Sequence, residues 1–242
     1  MLRDLSKRSY QPELMDSFDE PIASLKAVFQ DINRVNHLLG GNSITIKALK
    51  KIFEDHPQEQ YTIVDMGCGD GNMLREVATY FRRQKIKGNF IGIDLNKNAL
   101  SIAQEMSKEF PEIKYLNQDI LKIDNHTFHC DILINTLTMH HFTDEQVLVF
   151  LKKFTQLARY AVVINDLQRS RLAYYLFYLF SSIFIKTKIA KIDGLISIRR
   201  AFIKKELQGY SEEIRGTTHS IDWKWAFRYV WILKPNHIKE NA

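Results

Sequence analysis

The chain has 242 residues and a mass of 28.4 kDa, enough for one large domain with a full hydrophobic core. With 45% hydrophobic and 26% charged residues, 10 Gly and 5 Pro, it is neither a disordered tail, a coiled coil nor a collagen-like chain. The net charge of +6 is concentrated: between Arg169 and Lys205, nine Lys/Arg stand against the single acid Asp193.

No internal repeat is visible, and the chain reads as alternating elements. Ile22, Leu25, Phe29, Ile32, Val35 and Leu39 recur at helical spacing, and Gly40-Gly41-Asn42 ends the pattern. A short second helix carries Leu49, Ile52 and Phe53. Thr62 to Gly67 then reads as a buried strand, followed by a helix with Met73, Leu74, Val77, Ala78 and Phe81 on its apolar face. Asn89 to Asp94 is a second strand, and a helix through Leu100, Ala103 and Met106 stops before Pro111. Ile113 to Leu116, Cys130 to Asn135 and Ala161 to Asp166 give three more strands, the last two separated by a helix with cap candidates Thr143 and Asp144. Thr217 to Trp225 and Phe227 to Lys234 lie too close together for a helix between them, which forces an antiparallel pair. Continuous apolar strands between amphipathic helices predict a doubly wound, mostly parallel seven-stranded α/β sheet of Rossmann-like type, with an antiparallel last strand and ligands at the strands' carboxyl ends. Two cysteines, Cys68 and Cys130, cannot form a disulfide framework, and no basic-then-apolar leader opens the sequence. A reducing, cytoplasmic setting is the expectation.

The stretch Asp65-Met66-Gly67-Cys68-Gly69-Asp70-Gly71 sits where a buried strand gives way to a helix. A dinucleotide loop wants its third glycine where this chain has Asn72, and Asp65 beside the loop suits a cationic ligand better than a diphosphate. Asp94 ends the next strand, 23 residues after Gly71, where a carboxylate accepts both hydrogens of a ribose diol. Asp119 follows the third strand in the same way.

In order, the loop Asp65 to Gly71, Ile93-Asp94-Leu95, Gln118-Asp119-Ile120 and Asp131 to Asn135 resemble the successive motifs of class I S-adenosylmethionine-dependent methyltransferases over about residues 60 to 167. The resemblance implies S-adenosylmethionine as cofactor, S-adenosylhomocysteine as product and no metal. It places Asp65, Gly67, Cys68, Gly69 and Gly71 around the methionine moiety, Asp94 and Leu95 at the ribose, Asp119 and Ile120 at the adenine, and Asn135 near the sulfonium. By the same likeness Arg34, with Asn36, lies near the donor's carboxylate. Asn135-Thr136-Leu137-Thr138 departs from the Asn/Asp-Pro-Pro-aromatic pattern of base amino-methylases, and no zinc-spaced cysteines or second domain are visible. No nucleic-acid partner is therefore expected. The finer likeness is to small-molecule methyltransferases of quinone and aromatic polyketide biosynthesis.

Methyl transfer from a sulfonium is an in-line displacement by an already activated donor, so the protein supplies proximity, orientation and a dry site. A hydroxyl acceptor also has to lose a proton, and His140 and His141, just after the fourth strand, are the candidate bases. Adjacent residues in extended chain point opposite ways, so one of the two is expected to face the acceptor, with His140 favoured. Asp166, at the end of the fifth strand, either orients the acceptor or caps the next helix.

Leu172 to Ile185 is apolar and aromatic, flanked by Arg169, Arg171, Lys186 and Lys188. It is shorter than the roughly 20 residues that span a bilayer. Three readings stay open: a core helix, a lid whose Tyr174, Tyr175 and Tyr178 line an acceptor pocket, or an interfacial helix making peripheral membrane contact through 172–188. A second helix, Ile196 to Leu207, carries Arg199, which is either solvated or attracts an anionic acceptor. The expected plan is one domain: a helical cap (1–58), a cofactor-binding core (59–167), a helical lid (168–215) and a terminal strand pair (216–242). Its expected activity is O-methylation of a phenol, quinol or polyketide. C-methylation of a quinone-type acceptor and a non-catalytic, membrane-surface nucleotide-binding protein are the alternatives. No oligomeric state follows from the sequence.

Overall fold

A computed structural model describes residues 4–16, 20–123 and 128–236. The outer ends of the expected cap and strand pair, 1–3 and 237–242, lie outside the described residues. In chain order the elements are α1 (Ile22–Leu38), α2 (Gly41–Asp55), β1 (Gln60–Met66), α3 (Asn72–Gln84), β2 (Lys87–Asp94), α4 (Lys97–Met106), β3 (Ile113–Asn117), β4 (Cys130–Thr136) and α5 (Asp144–Leu157). Then follow β5 (Ala158–Leu167), α6 (Arg171–Phe184), α7 (Lys188–Arg200), α8 (Lys204–Glu213), β6 (Thr217–Lys224) and β7 (Arg228–Pro235). Single 3-10 turns occupy Leu14–Asp16, Ile120–Lys122 and Met139–His141.

The seven strands form one sheet in the order β3-β2-β1-β4-β5-β7-β6. Strands β1 to β5 pair in parallel, and β7 is antiparallel to both β5 and β6. The order reverses between β1 and β4, and that switch point opens the crevice in which doubly wound sheets hold ligands.

Period-two alternation divides the buried strand residues between two cores. Val64, Met66, Leu133, Val162, Ile164 and Trp231 face α5, where Val147, Phe150, Leu151 and Phe154 meet them. Ile63, Ile132, Ile134, Ala161 and Val163 face the other way, onto Leu49, Ile52 and Phe53 of α2 and Leu74, Val77 and Phe81 of α3. Each fully buried aliphatic or aromatic side chain contributes about 1.5–3 kcal/mol to this packing. Thr143 caps α5 through a reciprocal capping box with Gln146.

The single helix expected over Ile196 to Leu207 is broken. Chain reversal at Ala201–Ile203 separates α7 from α8, because Phe202 is fully buried, bridges to Gln168 and accepts the Arg169 N–H at 2.8 Å. Arg169 Nη1 takes the Ala201 carbonyl as well, at 2.6 Å. Tertiary hydrogen bonds thus override a locally helical pattern.

Candidate active site

A cavity of about 890 Å3 lies over the carboxyl ends of β1, β2, β4 and β5, within the roughly 300–1,000 Å3 of small-molecule sites. Its polar end is built on the loop after β1. The N–H groups of Gly67 and Cys68 both donate to the Ile93 carbonyl, at 2.8 and 3.1 Å, and Gly69 N–H donates to Asp94 Oδ2 at 2.8 Å. Asp94 Oδ1 takes the Asn96 N–H at 2.8 Å, so the carboxylate at the tip of β2 is fixed by backbone alone. Gly67 has φ of +78°, and a Cβ there would sit 2.3 Å from Thr138 Cγ2. The loop therefore has to bring its bare backbone against the residue after β4.

Of the residues the sequence reading assigns to the donor, Asp65, Gly67, Cys68, Gly69, Asp94, Leu95, Asp119 and Ile120 line this cavity. Asp65 is 2% exposed, and its Oδ1 has no hydrogen-bond partner. Burial, reinforced by the charges of Asp94 and Asp70, pushes its carboxyl up to about 8. An orphaned acceptor facing a cavity marks the place of a donor group on a ligand, and a cationic one suits it best. Burial likewise pushes up the Cys68 thiol.

Three residues expected at the donor stand elsewhere. Gly71 begins α3 in the left-handed region, and its missing Cβ leaves room for the Tyr115 hydroxyl rather than for a ligand. Asn135 is not a cavity wall: its Nδ2 donates to the Met66 carbonyl at 2.6 Å, tying β4 to β1, and Thr136, Leu137 and Thr138 form the wall above it. Arg34 turns outward to Asp31 Oδ1 at 3.0 Å and the Phe184 carbonyl at 3.2 Å. The cation that does reach the cavity is Arg228 at the start of β7. It is buried against Asn36 Oδ1 at 2.6 Å, and burial lowers it to about 10.

The opposite end is apolar, walled by Ile32, Val35, Phe142, Leu176, Phe177, Phe180, Ile198 and Phe227. Helix α6 does cover the site, but through Ala173, Leu176, Phe177 and Phe180. The three expected tyrosines occupy other faces. Tyr174 is buried beside Leu5 and Ile198, Tyr175 packs against the same cluster, and Tyr178 is 58% exposed. The i, i+3, i+4, i+7 set that lines the cavity is the phenylalanine stripe. Arg199 lies outside the cavity and donates to Gln11 Oε1 at 3.0 Å.

Between the two ends sits a polar cluster. His140, 2% exposed, places Nδ1 2.6 Å from Asp166 Oδ1, and its backbone N–H donates to Asp166 Oδ2 at 3.0 Å. Asp166 therefore neither caps α6 nor lines the cavity; it holds His140. His141 Nδ1 lies 3.1 Å from Asp16 Oδ2. Both imidazoles present Nε2 to Glu13 Oε1, at 3.3 Å from His140 and 3.7 Å from His141. Both rings reach the cavity because a 3-10 turn, not a strand, carries them. Burial would push the His140 imidazole down, but the adjacent Asp166 and Glu13 carboxylates outweigh it and raise it to about 9. Burial would raise Glu13, and His141 with His140 holds it at about 2 instead. Glu13 and Asp16 belong to a segment that no periodicity picks out, and only the compact spacing of two acids around Leu14 and Met15 marks it in the sequence.

A sheet of this order, with a glycine loop after β1 and an acid at the tip of β2, defines the class I methyltransferase architecture. Residues 63–160 match the sequence profile described as a methyltransferase domain. Among solved structures, the chain is similar to the plantazolicin methyltransferase BpumL in complex with SAH, at 15% identity over 93% of this chain and 94% of that one (TM-score 0.69). It is also similar to magnesium protoporphyrin IX methyltransferase from Synechocystis PCC 6803 with bound SAM, at 14% identity over 86% and 83% of the two chains (TM-score 0.56). A third likeness is to the CurJ carbon methyltransferase, at 19% identity over 80% of this chain and 54% of that one (TM-score 0.58). No curated protein matches the chain in sequence. The chain thus carries a methyltransferase-domain profile over residues 63–160, and its fold is that of solved methyltransferases crystallised with SAM or SAH.

Proposed function

We propose that the protein transfers the methyl group of S-adenosylmethionine to a hydroxyl oxygen of an apolar aromatic molecule such as a phenol, quinol or polyketide. The observation that carries this reading is the division of one cavity into an acidic end at Asp65 and Asp94 and a phenylalanine-lined end under α6, with imidazoles at the junction. Asp65 and Asp94 bind the donor's ammonium and ribose, Asp119 and Ile120 flank the base, and the sulfonium methyl points toward Phe177 and Phe180. His140 and His141 stand at the acceptor's oxygen, where a hydroxyl proton has to leave. Residues 168–215 act as the lid. Both cysteines are free thiols, in keeping with a cytoplasmic enzyme.

The test is incubation with methyl-labelled donor and a panel of phenols, quinols and enolisable carbons, with products read by NMR. A methoxy product supports the proposal. A carbon-bound methyl transfers the reading to C-methylation, the activity named for one structural neighbour. No product from any apolar acceptor, with donor bound, refutes the acceptor class.

Access to the apolar end gives the exposed side of α6 a role. Leu172, Leu176, Leu179 and Ile183 form one stripe, with Ile183 74% exposed, and Trp225 beside the cavity mouth is 62% exposed. Arg171, Lys186 and Lys188 flank the stripe. Among the described residues no helix is long and apolar enough to cross a membrane. An apolar face with a basic rim suits the surface of an anionic bilayer, from which a lipid-soluble acceptor enters beneath α6.

A further inference from the structure

Two neighbouring histidines, each oriented by its own carboxylate, converge on a third. We infer that Glu13, His140 and His141 form a binding site for one divalent first-row transition-metal ion such as Zn2+, open toward the acceptor end of the cavity. The geometry is that of a two-histidine, one-carboxylate set: one ligand atom from each of the three residues lies within 4.8 Å of the other two. Metal–ligand bonds of about 2.0–2.2 Å put neighbouring ligand atoms roughly 3.0–3.5 Å apart. The Glu13 Oε1 contacts, 3.3 and 3.7 Å, are already near that separation. His141 sits at the rim, with 21% of its side chain exposed.

Three further features fit a metal better than a hydrogen-bonded triad. The first is a poorly aligned contact, since His140 Nε2 is buried and approaches Glu13 Oε1 at 3.3 Å without a well-aligned hydrogen bond. The second is the surrounding support. Metal-binding imidazoles characteristically give their other nitrogen to a carboxylate, as His140 does to Asp166 at 2.6 Å and His141 to Asp16 at 3.1 Å. The Glu13 carboxylate is held in turn by the Ser197 hydroxyl, which donates to Oε1 at 2.7 Å. The third is rigidity. Arg200 donates to the His140 and His141 carbonyls, at 3.1 and 2.5 Å, while Asp193 takes the N–H groups of Leu14 and Met15 at 2.8 and 2.9 Å. The turn that carries both histidines and the segment that follows Glu13 are thus clamped from α7.

The site itself stands apart from the proposed O-methylation; only its role rests on that reading. A cation there would bind the acceptor's oxygen and acidify its hydroxyl. The proton leaves to solvent, an oxygen lone pair forms the new O–CH3 bond, and the C–S bond breaks with its electron pair returning to sulfur as a neutral thioether.

The experiment uses full-length protein stripped with chelator and titrated with Co2+, read by its d–d absorption and by metal content after gel filtration. One equivalent of Co2+, displaced by Zn2+, is expected. Glu13→Gln and His141→Gln should abolish tight binding, and His37→Gln, at an exposed position outside the cluster, should not. Asp16→Asn removes no ligand and lies at the surface end of the cluster, so it guards against misfolding of the other variants; it should weaken Co2+ binding about 10–100-fold. Absence of a Co2+ band in the wild type, or binding that survives Glu13→Gln and Asp16→Asn, overturns the site. Calorimetry of S-adenosylhomocysteine on the same samples separates that outcome from failure of the methyltransferase reading, because donor binding draws on the Asp65 and Asp94 carboxylates, which are not ligands of the ion.

Discussion

Asp65 offers the most direct test of the donor site, through the proton it carries when the cavity is empty. Burial, then the nearby Asp94 and Asp70 charges, raise its carboxyl to about 8, so at pH 7 about nine-tenths of the empty protein holds that proton. A donor that brings an ammonium group against Oδ1 favours the carboxylate, and the proton is released on binding. Calorimetry of S-adenosylhomocysteine in two buffers of different ionisation enthalpy should therefore report about 0.9 proton released per ligand at pH 7, with affinity rising roughly eightfold between pH 7 and 8.5. Asp65→Asn should abolish the release, flatten the pH dependence and weaken binding by about 1.5–3 kcal/mol. The empty protein gives an independent check of sign. Because the folded value lies above the unfolded 3.8, the folded state binds more protons through that window, and stability falls as pH rises. Between pH 5 and 8 the wild type should lose up to roughly 3–4 kcal/mol that Asp65→Asn keeps, read by denaturant midpoints. Equal heats in both buffers, together with an affinity flat from pH 6 to 8.5, would refute the pairing of Asp65 with a cation.

Asp94→Ala should weaken donor binding more than Asp94→Asn in calorimetry, because alanine also strands the Gly69 and Asn96 N–H groups that the carboxylate accepts. Gly67→Ala drives a Cβ into Thr138 at a positive φ and should cost roughly 2–4 kcal/mol by chemical denaturation. Gly209→Ala, within α8 and with nothing within 4 Å of the added methyl, should instead stabilise by about 0.5–1 kcal/mol. Ile183→Glu should remove flotation with anionic liposomes while shifting stability by no more than about 0.5 kcal/mol. Flotation unchanged by Ile183→Glu, or concentration-dependent dimerisation lost with it, would reassign the exposed face of α6.

The donor end was legible because its rules are local. A buried strand, a glycine turn and an acid at the next strand's tip lie within one βαβ unit, so spacing singled out Asp65, Gly67, Gly69 and Asp94 and the family resemblance suggested their places. Asn135 was misplaced for want of one more fact: its side chain satisfies the Met66 carbonyl, a choice of rotamer and partner that strand position does not decide. The lid's lining residues were misassigned by helical phase. Tyr174, Tyr175 and Tyr178 are the polar-tipped aromatics that draw the eye, yet the face toward the cavity is set by where α6 docks on α7, and that face carries Phe177 and Phe180. Gly194 shows the docking, since a Cβ there would meet the Phe177 ring at 2.2 Å. Its spacing from Phe177 follows no local period.

The acceptor end was illegible for a deeper reason, which also bears on how this class varies its substrates. Glu13 and Asp16 come from the segment before α1, His140 and His141 from the turn after β4, and Ser197 and Arg200 from α7. Beside the contacts from α7, Arg8 holds these pieces together by reaching the His140 and Phe142 carbonyls, at 3.4 and 2.9 Å, and Arg169 ties the start of α6 to Leu5 and Ala201. Arg8 Nε also donates to the Arg200 carbonyl at 2.9 Å, so both arginines join the N-terminal segment to the insertion between β5 and β6, and both of those segments lie outside residues 63–160. The glycine loop and its acids can therefore stay on the sheet while an arginine-stitched cover, folded from distant segments, shapes the apolar end of the cavity. Removing one stitch, as in Arg8→Gln, should loosen the cluster at the junction and leave the Asp65 to Asp94 loop, which is held by β1 and β2 backbone, intact.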